Sequence, residues 1–314
     1  MGFAPSSCFI YFSGSHRGES MELFFAQFLN GISLGSIYAL IALGYTMVYG
    51  IIQLINFAHG EILMVGAFVG FFAITIFGFN LFFAMLLAML ASVILGVLIE
   101  RVAYKPLRGS GRLAVLITAI GMSLLLQNGG LQILGTSYQA FPQVIPKKAF
   151  HFLGDKITIT SYQLLILAVT IVMMLFLNYI VNKTKTGKAM RAVSHDRDAA
   201  LMMGINVDNI ISVTFAIGSA FAAVAGVLLG LYYQTVHPLM GLMPGLKAFV
   251  AAVLGGIGII PGAMAGGFLL GIIEALVSGY WSTTYRDVVV FAILIIILIV
   301  KPSGLFGKDT GEKV

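Results

Sequence analysis

Apolar runs recur along this chain between short polar connections, at 27–49, 57–77, 81–99, 114–134, 161–181, 209–232, 247–260, 262–279 and 287–300. A hydrocarbon core of about 30 Å takes roughly 20 apolar residues per helical crossing. The pattern therefore predicts an all-α fold, a polytopic transmembrane helix bundle of about eight to ten segments. The pair between 247 and 279 is cut by GGIGIIPG, Gly255 to Gly262, which makes each half short and predicts broken or re-entrant pieces there. Pro261 beside Gly262 opposes a helix running continuously through this point.

Composition agrees, with 59% hydrophobic and 10% charged residues. The longest clearly polar stretch, Lys183 to Asp208, is a loop's length, which leaves no room for a soluble domain. The single cysteine, Cys8, excludes disulfides and a cysteine-based metal site. Residues 1–20 are Ser- and Gly-rich and lack the basic start and long apolar centre of a signal peptide. Met21 opens a stretch that reads as a natural membrane-protein start. Residues 1–20 are thus expected to be a non-native or disordered extension, and 21–314 a single transmembrane domain.

Charge sets the orientation. Twelve of the 18 Lys and Arg residues collect in three places: Arg101, Lys105, Arg108 and Arg112; Lys183, Lys185, Lys188, Arg191 and Arg197; and Lys301, Lys308 and Lys313. Positive loops stay on the cytoplasmic side, and even numbers of segments separate these three, so all can share one side with the C-terminus. The connection 135–160 then faces outward despite Lys147, Lys148 and Lys156, softened by Asp155. Topology accounts for the net charge of +6 and gives no reason to infer nucleic-acid binding.

The loop 183–208 holds Asp198, Ala199 and Ala200, then Gly204 after three residues. This resembles the acidic-Ala-Ala-x-x-x-Gly core in cytoplasmic loops of bacterial ABC importer permeases, without the downstream Ile-x-Leu-Pro of the fuller signature. Small alanines let a short helix lie in a partner's groove, and glycine ends it in a left-handed conformation. A solvated amphipathic linker is the plain alternative.

Several longer blocks occur together: INFAHGEILMVGAF (Ile55–Phe68), ERVAYKPLRG (Glu100–Gly109), AVSHDRDAALMMGIN (Ala192–Asn206), the Gly-rich run Gly245–Leu276, and DVVVFAILIIILIVKPSGLFG (Asp287–Gly307). In this order they resemble LivH-type permeases, membrane subunits of ABC importers for branched-chain amino acids. The resemblance spans roughly Met21 to Val314. It implies a bacterial inner-membrane subunit that forms the pore and takes leucine, isoleucine or valine from a periplasmic binding protein. It further implies two ATPase subunits docked at Asp198–Gly204, a second related permease, and membrane lipid around the bundle.

No Walker A pattern is present: Gly187-Lys188 and Gly307-Lys308 lack both the upstream glycine and the following Ser or Thr. No cofactor is expected on this chain, and ATP is hydrolysed by partner subunits if at all. The five histidines are scattered and no catalytic or metal-ligand constellation stands out, so an enzyme is not expected. Two other readings stay open: an ion-coupled secondary transporter using Glu61 and Glu274, and a permease of the same family for urea, amides or other amino acids.

Inside the apolar runs His59, Glu61, Lys247 and Glu274 are the polar exceptions. A charge near the bilayer centre costs at least about 2.5–3.5 kcal/mol, so each needs protein, water or a headgroup. Glu61 suits either the first turn of a half-helix after a break, as an N-terminal cap, or, with His59, the wall or gate of the amino-acid route. Lys247 stands near a span end and is expected to snorkel to an interface. Glu274 lies deeper and requires a partner, Lys247 or a polar group on a neighbouring helix, or else it too lines the route. Gly258, Gly262 and Gly266, Gly267 and Gly271, and Gly31, Gly35 and Ala39 place small faces one turn apart for close helix packing. The break at Gly258, Pro261 and Gly262 is the candidate hinge or pore wall.

Overall fold

The computed structural model describes residues 17–146, 148–152 and 157–307. Residues 1–16 of the expected extension, and Lys147, Asp155, Lys156, Lys308 and Lys313, lie outside the described residues. Eleven α-helices are described: α1 Arg17–Ile52, α2 His59–Thr75, α3 Leu81–Ile99, α4 Arg112–Leu134, α5 Ser161–Lys183, α6 Lys185–His195, α7 Arg197–Met202, α8 Val207–Tyr233, α9 Leu242–Gly255, α10 Ile260–Tyr280 and α11 Arg286–Val300. All nine apolar runs are helical over most of their length. Two polar stretches expected as loops are helical as well. A π-helical turn at Glu100–Tyr104 and a 3-10 turn at Lys105–Leu107 carry α3 onward, and α6 and α7 fill most of 183–208.

Six of these helices are long and apolar enough to cross a membrane: α1, α3 with its continuation, α4, α5, α8 and α10. The 17 residues of α2 and the 14 of α9 rise only about 26 Å and 21 Å. The break at 255–262 thus shortens α9 alone, because α10 keeps 21 residues. Gly256 and Gly258 turn the chain there with φ of +102° and +92°, and Pro261 falls in the first turn of α10, where its missing N–H costs nothing.

The most apolar windows of α1 and α8 are 89% and 72% buried, against 17% for α4. The first two therefore form the centre and α4 the periphery, with α3, α5 and α11 also turning large apolar side chains outward. Glycine makes the central contacts possible, as membrane packing prefers. A Cβ on Gly35 would stand 2.8 Å from Phe268 Cα, and one on Gly271 would stand 2.2 Å from the Gly35 nitrogen. The small faces predicted for the first span and for 267–271 are thus two sides of one seam between α1 and α10. Gly262 and Gly266 pack instead on α9, against the Gly255 and Ala251 carbonyls.

The three basic regions gather at one end of the bundle. Arg108 and Arg197 line a common cavity with Gln53, and Leu305 N–H donates to the Leu254 carbonyl at 2.8 Å, holding the tail against the α9–α10 turn. That turn reaches the same end through Gly258, which faces Gly50. Two antiparallel pairs belong to the other connections: β1 (Gln139–Ala140) with β4 (Thr235–Val236), and β2 (Ala149–Phe152) with β3 (Ile157–Thr160). The pairing of β1 with β4 ties the 135–160 connection to the segment leaving α8, at the end opposite the basic loops.

Candidate functional site

At the basic end, Asp196 caps α7 by accepting from the Asp198 and Ala199 N–H groups at 2.9 and 3.0 Å. The helix closes as the sequence predicts. Ile205 N–H donates to the Ala200 carbonyl and Gly204 N–H to that of Leu201, with Gly204 at φ +79°, a Schellman arrangement. Ala200 is buried against the bundle and Asp198 is exposed. Leu201, Met202 and Met203 stand 55%, 83% and 83% exposed. The motif thus forms a short capped helix presenting an apolar knob on a polar surface.

Arg197, which sequence reasoning counted only as a topogenic charge, does more. Its Nη2 donates to the Ile51 and Ile52 carbonyls at 3.0 and 2.7 Å. These are the last carbonyls of α1, left without intrahelical partners where the chain departs through Gln53 at φ +57°. A positive group is favoured at this helix end. The α7 segment is therefore pinned to the end of the most buried helix.

The chain between α1 and α2 is non-helical from Gln53 to Ala58, as the polar residues and glycine of this stretch predict. Asn56 Oδ1 accepts from the Ala58 N–H at 3.1 Å and from the Tyr104 hydroxyl at 3.1 Å, so the π turn after α3 steadies the break. Glu61 sits in the first turn of α2 and is buried. Its carboxylate accepts from its own backbone N–H and from Ser123 of α4, while Oε2 has no partner among the described residues. It lines a cavity of about 200 Å³ with Tyr45, Ser123, Gln127 and Gly245. The cap-like contact and the cavity wall are features of one carboxylate. His59 is buried as well and packs against Tyr45 with ring centroids 4.6 Å apart and the rings tilted by 54°. It bonds to the Ile41 carbonyl and leaves Nε2 without a partner among the described residues. His59 and Glu61 are neighbours in sequence, but His59 presses on α1 and only Glu61 reaches the cavity.

Lys247 does not snorkel. Its side chain is 4% exposed and its Nζ lies 2.6 Å from Glu274 Oε1 and 2.7 Å from Asp287 Oδ1. The two carboxylates hold its amine inside the bundle. Glu274 is thereby satisfied, as its depth required, and the Tyr38 hydroxyl donates to its Oε2 at 2.9 Å. Asp287 and Tyr38 were not singled out from sequence. Asp287 opens a helix and reads as a surface residue, and one tyrosine in an apolar run gives no signal. Glu100 was also passed over. It is fully buried, accepts from Ser212 at 2.7 Å and pairs with Arg108, which also bridges to Asp208 and so ties the end of α3 to the start of α8. A carboxylate closing an unbroken apolar run was the available signal.

Of the break residues, Gly258 lines a small cavity with Gly50 and Thr46, whereas Gly262 is closed against Gly255. Close packing accounts for Gly262 and a left-handed turn for Gly258.

Six helices long and apolar enough to cross a membrane make this a multi-pass membrane protein, and the family it matches makes it a transport permease and not an enzyme. Residues 27–298 match the family described as branched-chain amino acid transport system, permease component, and the chain belongs to that family. It is 48% identical over 306 residues to the high-affinity branched-chain amino acid transport system permease protein LivH of Escherichia coli K12, covering 94% of this chain and 99% of that one. The permease protein BraD of Pseudomonas aeruginosa is 47% identical over 300 residues, covering 92% and 97%. A probable LivH of Methanocaldococcus jannaschii is 28% identical over 292 residues, covering 88% and 91%.

Proposed function

We propose that this chain is a pore-forming subunit of an ATP-driven ABC importer in the bacterial inner membrane, carrying leucine, isoleucine and valine. A periplasmic binding protein delivers the amino acid, a second homologous permease completes the passage, and two ATPase subunits drive the cycle from the cytoplasmic, basic end, where the C-terminus lies. The knob of α7, Asp198 to Gly204 with exposed Leu201, Met202 and Met203, docks into the ATPase. ATP is hydrolysed there and not on this chain. The observation that carries this reading is the capped α7 helix standing on the basic face. Near-full-length identity to proteins named for branched-chain amino acid transport supports the cargo. Glu61 lines the route, and Glu274 acts on it through Lys247; the turn at Gly258, Pro261 and Gly262 is the hinge at the inner end.

The test is uptake of labelled leucine into proteoliposomes holding this chain with its ATPase, permease and binding-protein partners. Uptake that requires ATP and the ATPase subunits, and persists when the proton gradient is collapsed, is the expected result. Accumulation of leucine against a gradient by this chain alone would overturn it.

A further inference from the structure

A cavity of about 310 Å³ opens at the end opposite the basic loops, between α1, the segment after α8, the first turns of α9 and the start of α11. Its size reaches the lower limit of ordinary ligand pockets, about 300 Å³. Leu239, Met240, Met243 and Pro244 form an apolar floor, while Lys247 and Arg286 bring charge to the wall. Lys247 is held closely by its two carboxylates, as described above. Arg286 is not: its Nε stands 3.8 Å from Glu274 Oε1 and 3.5 Å from Asp287 Oδ1, beyond good hydrogen-bond distance, and its side chain is 40% exposed. Asp287 is 34% exposed. Two cations and two carboxylates sum to zero, so a net ion would unbalance this partly buried cluster, whereas a molecule with one charge of each sign would not.

We infer that this cavity binds a free zwitterionic α-amino acid with an apolar side chain, its carboxylate taken by Arg286, its ammonium by the ring faces of Tyr138 and Tyr233 and the Thr235 hydroxyl, and its side chain by the Leu239–Pro244 floor. The inference rests on the import reading and gives it an entry site. A planar guanidinium with unengaged N–H groups suits a carboxylate in bidentate fashion. The site and the Glu61 cavity lie on opposite faces of the start of α9. Met240, Met243, Pro244 and Lys247 face the outer space, whereas Gly241, Leu242, Gly245 and Leu246 face the inner one. One turn of α9 is the partition between them. It is closed by Gly241 against Gly60, where a Cβ on Gly241 would fall 1.9 Å from the Gly60 carbonyl oxygen.

The full chain, purified in detergent, is dialysed to equilibrium against labelled L-leucine. Fluorescence of the single tryptophan, Trp281, which stacks on Tyr285 beside Arg286 at 5.3 Å, is read on the same samples. Saturable leucine binding is expected, without competition from isovalerate or isoamylamine, each of which carries one of the two charges. Arg286→Gln should weaken binding at least about tenfold. Met243→Phe, at a half-exposed position, should weaken it by filling the floor with every charge left in place. Absence of saturable binding, wild-type binding by both variants, or equal competition by isovalerate would overturn the site. Leucine uptake by the assembled transporter is measured in parallel. ATP-driven uptake without binding here removes the site and leaves the import reading, while binding without ATP-driven uptake does the reverse.

Discussion

Replacing Lys247 by methionine keeps the length of the side chain and removes its charge. Glu274, 1% exposed, then loses a partner at 2.6 Å, and Asp287 loses one at 2.7 Å. Breaking a buried pair by removing one member costs about 3–5 kcal/mol, because the other is left uncompensated. Here the Tyr38 hydroxyl remains on Glu274 and Arg286 remains 3.8 Å away, which places Lys247→Met near the lower figure, about 3 kcal/mol, or roughly two powers of ten in the unfolding equilibrium. Glu274→Gln alone should cost less, about 1–3 kcal/mol, because Lys247 keeps Asp287. The double variant Lys247→Met with Glu274→Gln leaves no unpaired charge at either position. It should be more stable than the sum of the single losses by about 1–3 kcal/mol. The assay is denaturant titration in mixed micelles followed by Trp281 fluorescence. A neutral Lys247→Met, the behaviour of a lysine whose amine reaches the membrane surface, would refute this reasoning, and so would strict additivity of the two changes.

Gly204→Val meets no atom within 4 Å but must hold φ near +79°. That strain of about 1–2 kcal/mol falls on the α7 cap alone, so membrane insertion should persist and ATP-driven uptake collapse, with Gly204→Asn largely retained; wild-type uptake by the valine variant would remove the docking assignment. Arg197→Ala frees the Ile51 and Ile52 carbonyls and should lower leucine uptake per ATP hydrolysed, with partial recovery for Arg197→Lys; an unchanged ratio would show that the link to α1 transmits nothing. Gly44→Ala would bring a Cβ within 2.4 Å of His59 Nε2 and 3.0 Å of the Gly218 carbonyl. It should destabilise the fold by about 1–3 kcal/mol and be relieved in part, through the first contact only, by His59→Ala; thermal denaturation of the four proteins decides, and no relief would mean that His59 yields freely.

Apolar length made the helices legible, because a bilayer imposes about 20 residues per crossing and the chain cannot disguise such runs. Glycine spacing likewise announced the small faces on α1 and α10, since only small residues let backbones meet, but not that the two faces meet each other. Lys247 shows where this reasoning ends. Its depth depends on where α9 begins, Leu242, and that start is set by the descent of 234–241 into the bundle, for which the local sequence holds no periodic signal. The turn at Glu100 was hidden differently. A π-helical turn leaves the residue types unchanged and alters only which of them face inward, so a carboxylate assigned to a loop became a fully buried partner of Arg108 and Ser212. Arg197 was visible as a charge, but its work as a cap needed the position of another helix's end.

These three clusters share α1. Tyr38 reaches the ion cluster beneath the outer cavity, Ile41 and Gly44 hold His59 at the α2 break, and the Ile51 and Ile52 carbonyls take Arg197 from the α7 segment. Tyr38 and Ile51 are separated by about 20 Å of helix rise, along a rod with glycine seams on both α10 and α8. A close-packed seam of small residues slides or turns as a unit and does not deform gradually. A pull on α7 at the basic end would therefore move Tyr38 and His59 together, altering the ion cluster and the Gly60–Gly241 contact in one step. On the import reading, such an arrangement needs no tight solute site deep in the passage. It needs a stiff helix held at both ends and a thin partition, here the first turn of α9, that the helix can bias.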